Sequence, residues 1–183
     1  MRITKVFTGK GDEGFSYYWK DKKKRKDDKI FDALGDLDEL NSILGFCYFY
    51  SKDDDVKEEV EKIQRLIFIA SAQLIIPEEE KGPVIEDKIL TELEEKIEKL
   101  SKSLGPLKEF IIPSGTLSSL YFHLARTVAR RAERSVASLL DEHKSAQVVL
   151  KFLNRLSDYL FLLGREVNKR EGGIERNLQA FKP

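Results

Sequence analysis

From residue 30 onward, apolar side chains recur every three or four positions, the spacing of helices that each bury one face. Phe31, Leu34, Leu37, Leu40, Ile43 and Leu44 open the first stripe, and the segment runs on to about Tyr50. Ser51 and Asp53 to Asp55 supply a break and caps for the next helix. Val60, Ile63, Ile67, Ala70 and Leu74 form the second stripe, ended by Pro77. After Lys81-Gly82-Pro83 comes a third, with Ile89, Leu93, Ile97, Leu100 and Leu104 on one face, closed by Gly105 and Pro106. Residues 110–116 interrupt the pattern, and Ser114 or Thr116 is placed to cap a fourth helix predicted to reach about His143. The fifth is predicted from about Ser145 to Arg170, with Val149, Phe152, Leu153, Leu156, Leu160, Leu163 and Val167 apolar. Five helices on short links predict an all-α, five-helix bundle.

Residues 1–19 read differently. Ile3, Val6 and Phe7, then Gly9, Gly11 and Gly14, then Tyr17, Tyr18 and Trp19 predict an extended piece, a tight loop and another extended piece. Residues 20–29 are a charge run that reads as a solvated loop. The expected organisation is one domain over residues 1–183. Residues 1–29 form a non-helical N-terminal arm, 30–170 the helical bundle, and 171–183 a tail that frays after Gly172 and Gly173.

Composition narrows the function classes. Lys plus Arg and Asp plus Glu each number 32 in 183 residues, so the formal charge is zero and a basic nucleic-acid binder is not expected. No run approaches the roughly 18 apolar residues of a membrane span, and the first ten residues lack the apolar centre of a signal peptide. Cys47 is the only cysteine, which excludes intramolecular disulfides and cysteine-based zinc sites. A cytoplasmic protein with no membrane and no nucleic-acid partner is the expectation.

Three places carry candidate chemistry. Gly9 to Gly14 has the G-x-G-x-x-G spacing, but β-formers follow it and no βαβ pattern exists, so a dinucleotide fold is rejected. What survives is either a backbone nest for an anion, aided by Thr8, Lys10 and Ser16, or a plain tight turn. On the fourth helix Arg126, Arg130 and Arg134 stand four apart on one face, flanked by His123 and Glu133. Stacked guanidiniums repel one another unless an anion or carboxylates lie opposite. The first helix offers Asp36, Asp38, Glu39 and Asn41, and the fifth offers Asn154 and Asp158, polar in an apolar stretch. Neither His123 nor His143 has Glu three residues before it, so a di-iron carboxylate site is not expected. Protein-ligated metal is expected to be absent, whereas Mg²⁺ arriving with a phosphate ligand fits the set.

Together these segments resemble a known family. Thr8 to Ser16, Lys26 to Ser42, Phe110 to Gly115, Arg126 to Arg134 and Leu153 to Phe161, in that order, are similar to the PduO-type ATP:cob(I)alamin adenosyltransferases over about residues 3–170. The resemblance implies a homotrimer of five-helix bundles with active sites between subunits. It implies transfer of the 5′-deoxyadenosyl group of ATP to cob(I)alamin, with Mg²⁺, giving adenosylcobalamin and triphosphate. By the same resemblance Thr8, Gly9, Lys10, Gly11, Ser16 and Tyr17 would fold over ATP, and Lys26 would leave the solvated run to reach its phosphates. Arg130, Arg131, Ala132, Glu133, Arg134 and Asn154 would complete the nucleotide site. Arg126 would pair with Asp38 of a neighbouring subunit, and Phe110 would cover the lower corrin face in place of the axial base. Arg130, Arg126, Asp38 and Phe110 are thus the implied catalytic set. A flavoprotein-type reductase and an adenosylcobalamin-dependent acceptor enzyme are the implied partners. The glycine loop departs from the family's Thr-Lys/Arg-Thr-Gly-Asp, since its basic residue, Lys10, is displaced by one position. The competing reading is an ATP-binding helical sensor, or an assembly protein, without transferase activity.

Overall fold

The first four helices begin where the chain offers their first free N–H groups a partner or an extended entry. Asp28 accepts from the Ile30 N–H at 3.1 Å and opens α1 (Lys29–Tyr50). Thr116, rather than Ser114, caps α4 (Leu117–Ala137) by accepting from the Ser119 N–H at 3.3 Å. Between them lie α2 (Asp54–Ile75) and α3 (Asp87–Leu104), and α5 (Ala146–Arg170) follows. The computed structural model describes residues 9–178. Short strands flank the helices: β1 (Phe15–Trp19) with β2 (Lys22–Arg25), and β3 (Ile111–Ile112) with β4 (Arg176–Asn177), both pairs antiparallel.

α4 is central, packed between α1 and α5, with α2 behind α1 and α3 against α5. Side-chain bonds fix the directions. Asp36 meets Arg131 and Ser135, while Ser118 donates to the Tyr50 carbonyl, so α1 and α4 are antiparallel. Asn154 meets Glu133 and Asn168 meets Thr116, so α5 also runs against α4. The core between them is fully buried: Ile30, Ala33, Leu37, Leu40 and Leu44 from α1, Phe122, Ala125, Ala129 and Ala132 from α4, Phe152, Leu153, Leu156 and Leu160 from α5. On α1 the stripe is rotated from the expected one, since Phe31, Leu34 and Ile43 are only partly buried. Among the described residues no helix is long and apolar enough to cross a membrane.

Three expectations are corrected. Residues 20–29 are not a solvated loop throughout, because Lys22–Arg25 pair with β1 and Asp28 caps α1. The lysine ammonium groups lie over aromatic rings, with Lys23 Nζ 5.1 Å from the Phe15 centroid and Lys24 Nζ 5.7 Å from that of Tyr18. The fourth helix stops at Ala137, not His143. Fully buried Leu139 pulls the chain inward through tight turns, its N–H donating to Val136 and its carbonyl accepting from Glu142 and His143. The tail is not frayed directly after Gly173: residues 173–178 return along β3, and the Leu178 N–H donates to the Phe110 carbonyl at 2.6 Å.

Candidate active site

The arginines of α4 divide between two faces. Arg131 points toward α1, where its Nε donates to Asp36 Oδ1 at 2.8 Å and its Nη2 pairs with Glu39. These bonds hold its guanidinium above the ordinary arginine value. Asp36 and Glu39 therefore serve Arg131, and the column of Arg126, Arg130 and Arg134 is left without a carboxylate among the described residues. Arg134 reaches back to the Arg130 carbonyl at 3.0 Å. Arg126 is half-buried, its Nε has no hydrogen-bond partner among the described residues, and its guanidinium carbon lies 6.0 Å from the Phe161 centroid. Burial, with Arg130 adding repulsion, pushes its guanidinium below the ordinary value, although an arginine stays charged at neutral pH. Asp38, exposed on α1, likewise has no cationic partner among the described residues. Beside the column, Glu133 accepts from Asn154 Nδ2 at 3.0 Å, and Asn154 Oδ1 accepts from Arg155 at 3.1 Å. Ala132 is fully buried in the core, so neither its side chain nor its backbone is open to a ligand here.

The glycine loop lies at the α4 C-terminal end of the bundle. Its turns are closed by Asp12 N–H to the Gly9 carbonyl and Gly14 N–H to the Gly11 carbonyl. A Cβ on Gly11 would stand 2.9 Å from Lys26 Nζ, so only glycine leaves that ammonium its seat over the loop. Lys26 comes from the end of β2, and its own N–H donates to the Gly14 carbonyl at 2.8 Å. Lys10 instead lies 5.6 Å over the half-exposed Tyr17 ring, with Ser16 beside it in β1. Thr8, expected in this site, lies outside the described residues. The hairpin is tied to the α2–α3 link through Glu80, which accepts from Trp19 Nε1 at 3.0 Å and from Lys20. Among the described residues no hydrogen bond or ion pair joins the loop to Arg126, Arg130 or Arg134.

Near the other end of α4, Leu107, Ile111, Pro113, His123, Arg126 and Phe161 line a cavity of about 410 Å³, with Phe110 also on its wall. Phe110 is 85% exposed, a large apolar ring held out on the loop before β3. The backbone beneath it is fixed where Gly115, at φ +103°, passes so close to Asn168 that a Cβ would lie 1.9 Å from Oδ1. His123 is buried and pushed below its ordinary value by desolvation first and Arg126 second. Sequence reasoning placed His123 only beside the column and gave Phe161 no role. Their helical spacing from Arg126 and Asn154 carried no sign that a cavity lies between them. Among the described residues no three metal-ligating side chains gather.

A sequence profile of the family described as cobalamin adenosyltransferase matches residues 6–167. A corrinoid adenosyltransferase from Bos taurus is 39% identical, covering 96% of this chain and 76% of the relative. One from Bacillus subtilis is 35% identical over 80% of this chain and 78% of its own. Among solved structures, a variant PduO-type ATP:corrinoid adenosyltransferase from Lactobacillus reuteri, complexed with cobalamin and ATP, superposes with a TM-score of 0.89 at 33% identity, covering 96% of this chain and 99% of that one.

Proposed function

The chain belongs to the cobalamin adenosyltransferase family, and from that premise we propose how its residues divide the work. It transfers the 5′-deoxyadenosyl group of ATP to cob(I)alamin, forming adenosylcobalamin and triphosphate. The cobalt–carbon bond forms as the C5′–oxygen bond breaks, the electron pair on Co(I) attacking carbon and the displaced pair leaving with triphosphate. Cobalt supplies the nucleophile, so the protein's tasks are alignment and stabilisation of the leaving group.

Lys26, Lys10 and the backbone N–H groups of Gly9 to Gly11 suit the triphosphate, with Ser16 and Tyr17 along the nucleoside. Arg130 and Arg134, exposed on α4, are the donors for charge developing on the leaving oxygen. Glu133 and Asn154, already bonded to each other, orient there and offer one carboxylate to Mg²⁺. That suits a metal bound mainly through phosphates and water, and Mg²⁺ shields the triphosphate charge. Arg131 is assigned to the scaffold, since Asp36 and Glu39 occupy it. Phe110 excludes a lower axial ligand, which leaves cobalt four-coordinate and eases reduction of Co(II) to Co(I). A flavoprotein-type reductase supplies that electron, and an adenosylcobalamin-dependent enzyme accepts the product. A cytoplasmic setting suits a chain with one cysteine and hence no intramolecular disulfide.

The observation that carries this reading is the half-buried Arg126, which has no counter-ion among the described residues. Leaving a desolvated charge unpaired is costly, so a partner from another chain is called for. Asp38 is exposed and has no cationic partner among the described residues, and elsewhere on the same two helices Phe46 and Phe49 of α1 and Leu117, Leu120 and Leu124 of α4 are all at least 38% exposed. Phe46 and Tyr50 both stack on Tyr121, with centroids 5.1 and 5.2 Å apart. A contact of α4 with the next chain's α1 is heterologous, and three copies close it into a trimeric ring. The test combines light scattering with the adenosylation assay, ATP, Mg²⁺ and cob(I)alamin under reducing conditions, read by the light-sensitive Co–C spectrum. The native chain is expected as an active trimer and Asp38→Asn as a weakened assembly with loss of activity. An active monomer would overturn the shared-site reading, and ATP binding without product would favour the sensor.

A further inference from the structure

The exposed Phe110 ring has almost nothing of its own to hold it. Its backbone, by contrast, is tied at several points to the segment that follows α5. The Phe110 carbonyl accepts from the Leu178 N–H, Ile111 and Ile112 pair with Asn177 and Arg176, and the Arg176 N–H donates to Ser114 Oγ at 3.0 Å. That segment would be a two-residue strand, too short to persist alone. Among the described residues one ion pair anchors it to the helices. Arg165, on α5 and only 8% exposed, binds Glu175 in a two-pronged pair, Nε to Oε1 at 2.7 Å and Nη2 to Oε2 at 3.1 Å.

We infer that Arg165 and Glu175 are positioning residues of the transferase, clamping residues 175–178 beneath the Phe110 loop so that the phenylalanine is presented at a fixed height over the cavity. This inference rests on the proposed role of Phe110. A bidentate guanidinium–carboxylate pair fixes both distance and plane, which a single contact would not. The guanidinium is already desolvated, so removing its partner leaves a buried charge and releases the strand. The clamp reaches Phe110 only through backbone hydrogen bonds. It bears on where the ring stands and not on nucleotide binding, whose proposed residues lie on the glycine loop, the hairpin, α4 and, through Asn154, the first half of α5.

The test compares Glu175→Ala, Glu175→Gln and Phe110→Ala in the full chain. Each is assayed with chemically pre-reduced Co(I) and, separately, with Co(II) that must be reduced on the protein in the presence of ATP. The fraction of four-coordinate Co(II) is read by electron paramagnetic resonance and ATP affinity by calorimetry. Glu175→Ala is expected to keep ATP affinity and the Co(I) rate within about threefold while losing about tenfold or more of the Co(II)-dependent rate. The four-coordinate signal falls with it, and hydrogen exchange at the Leu178 amide accelerates. Glu175→Gln, which keeps an acceptor, recovers part of each loss. If Phe110→Ala shows the split and Glu175→Ala does not, the clamp is overturned and the reading of Phe110 stands. If Phe110→Ala shows no split, that reading falls and the positioning role falls with it. Equal loss in both assays together with weakened ATP binding would reduce the pair to general stability and overturn the inference.

Discussion

The two faces of α4 carry the same residue type to opposite ends. Arg131 faces its own α1 and is neutralised by Asp36 and Glu39 within the chain. Arg126, little more than one turn earlier, is more deeply placed and has neither carboxylate nor a partner for its Nε among the described residues. A folded chain satisfies a charge locally when the charge serves folding. It tolerates an unsatisfied one where the compensation comes from outside, as a ligand or a second subunit. The first face stitches helices together, and the proposed function has the second open for binding.

Substitutions on the two faces should therefore fail in different ways. The largest effect is expected from Arg130→Ala, which removes a charge-assisted donor to the leaving triphosphate. Steady-state kinetics should show kcat/KM falling by about tenfold to hundredfold, with little change in Tm. A large fall in Tm with proportionate activity loss would place Arg130 with Arg131. A smaller effect, of the opposite kind, is expected from Arg131→Gln: a measurable drop in Tm by calorimetry, with ATP affinity following only the folded fraction. If affinity falls while Tm holds, the division of faces is wrong.

The smallest effect is a pH dependence on the open face. His123 is kept neutral in the fold by burial and by Arg126. Below its ordinary value of 6.5 the unfolded chain takes up a proton that the folded chain resists. Its contribution is therefore full above that pH and is lost progressively as the solution is acidified toward the depressed folded value. Denaturant titrations at pH 5 and pH 7.5 should show this loss, and His123→Gln should flatten that part of the slope. An unchanged slope would mean that neither burial nor Arg126 holds the imidazole neutral.

The helices were legible because their cue is periodic and local. Val60, Ile63, Ile67, Ala70 and Leu74 mark one face of α2 on their own, and all five are buried. The hairpin was hidden because Lys22 to Arg25 pair through a register with Phe15 to Trp19, and the stabilising stacks run between strands. The return of the tail was hidden for a similar reason, since Glu175 reads as polar until Arg165 is known to face it. Within the site, the i,i+4 spacing exposed the arginine column, but nothing in the sequence of α4 shows which flank α1 covers. The spacing therefore did not separate Arg131 from Arg130. The motif resemblance supplied Lys26 and Phe110, which neither charge nor periodicity would have singled out.

The bond between Trp19 and Glu80 has a practical reach. Trp19 is the chain's single tryptophan, and its indole sits where the hairpin meets the α2–α3 link. The molecule thus carries one intrinsic fluorophore at that joint, with no second emitter of its kind to blur it. Any rearrangement that separates the hairpin from the helices on nucleotide capture must break an indole hydrogen bond, and its emission wavelength records the event without a label.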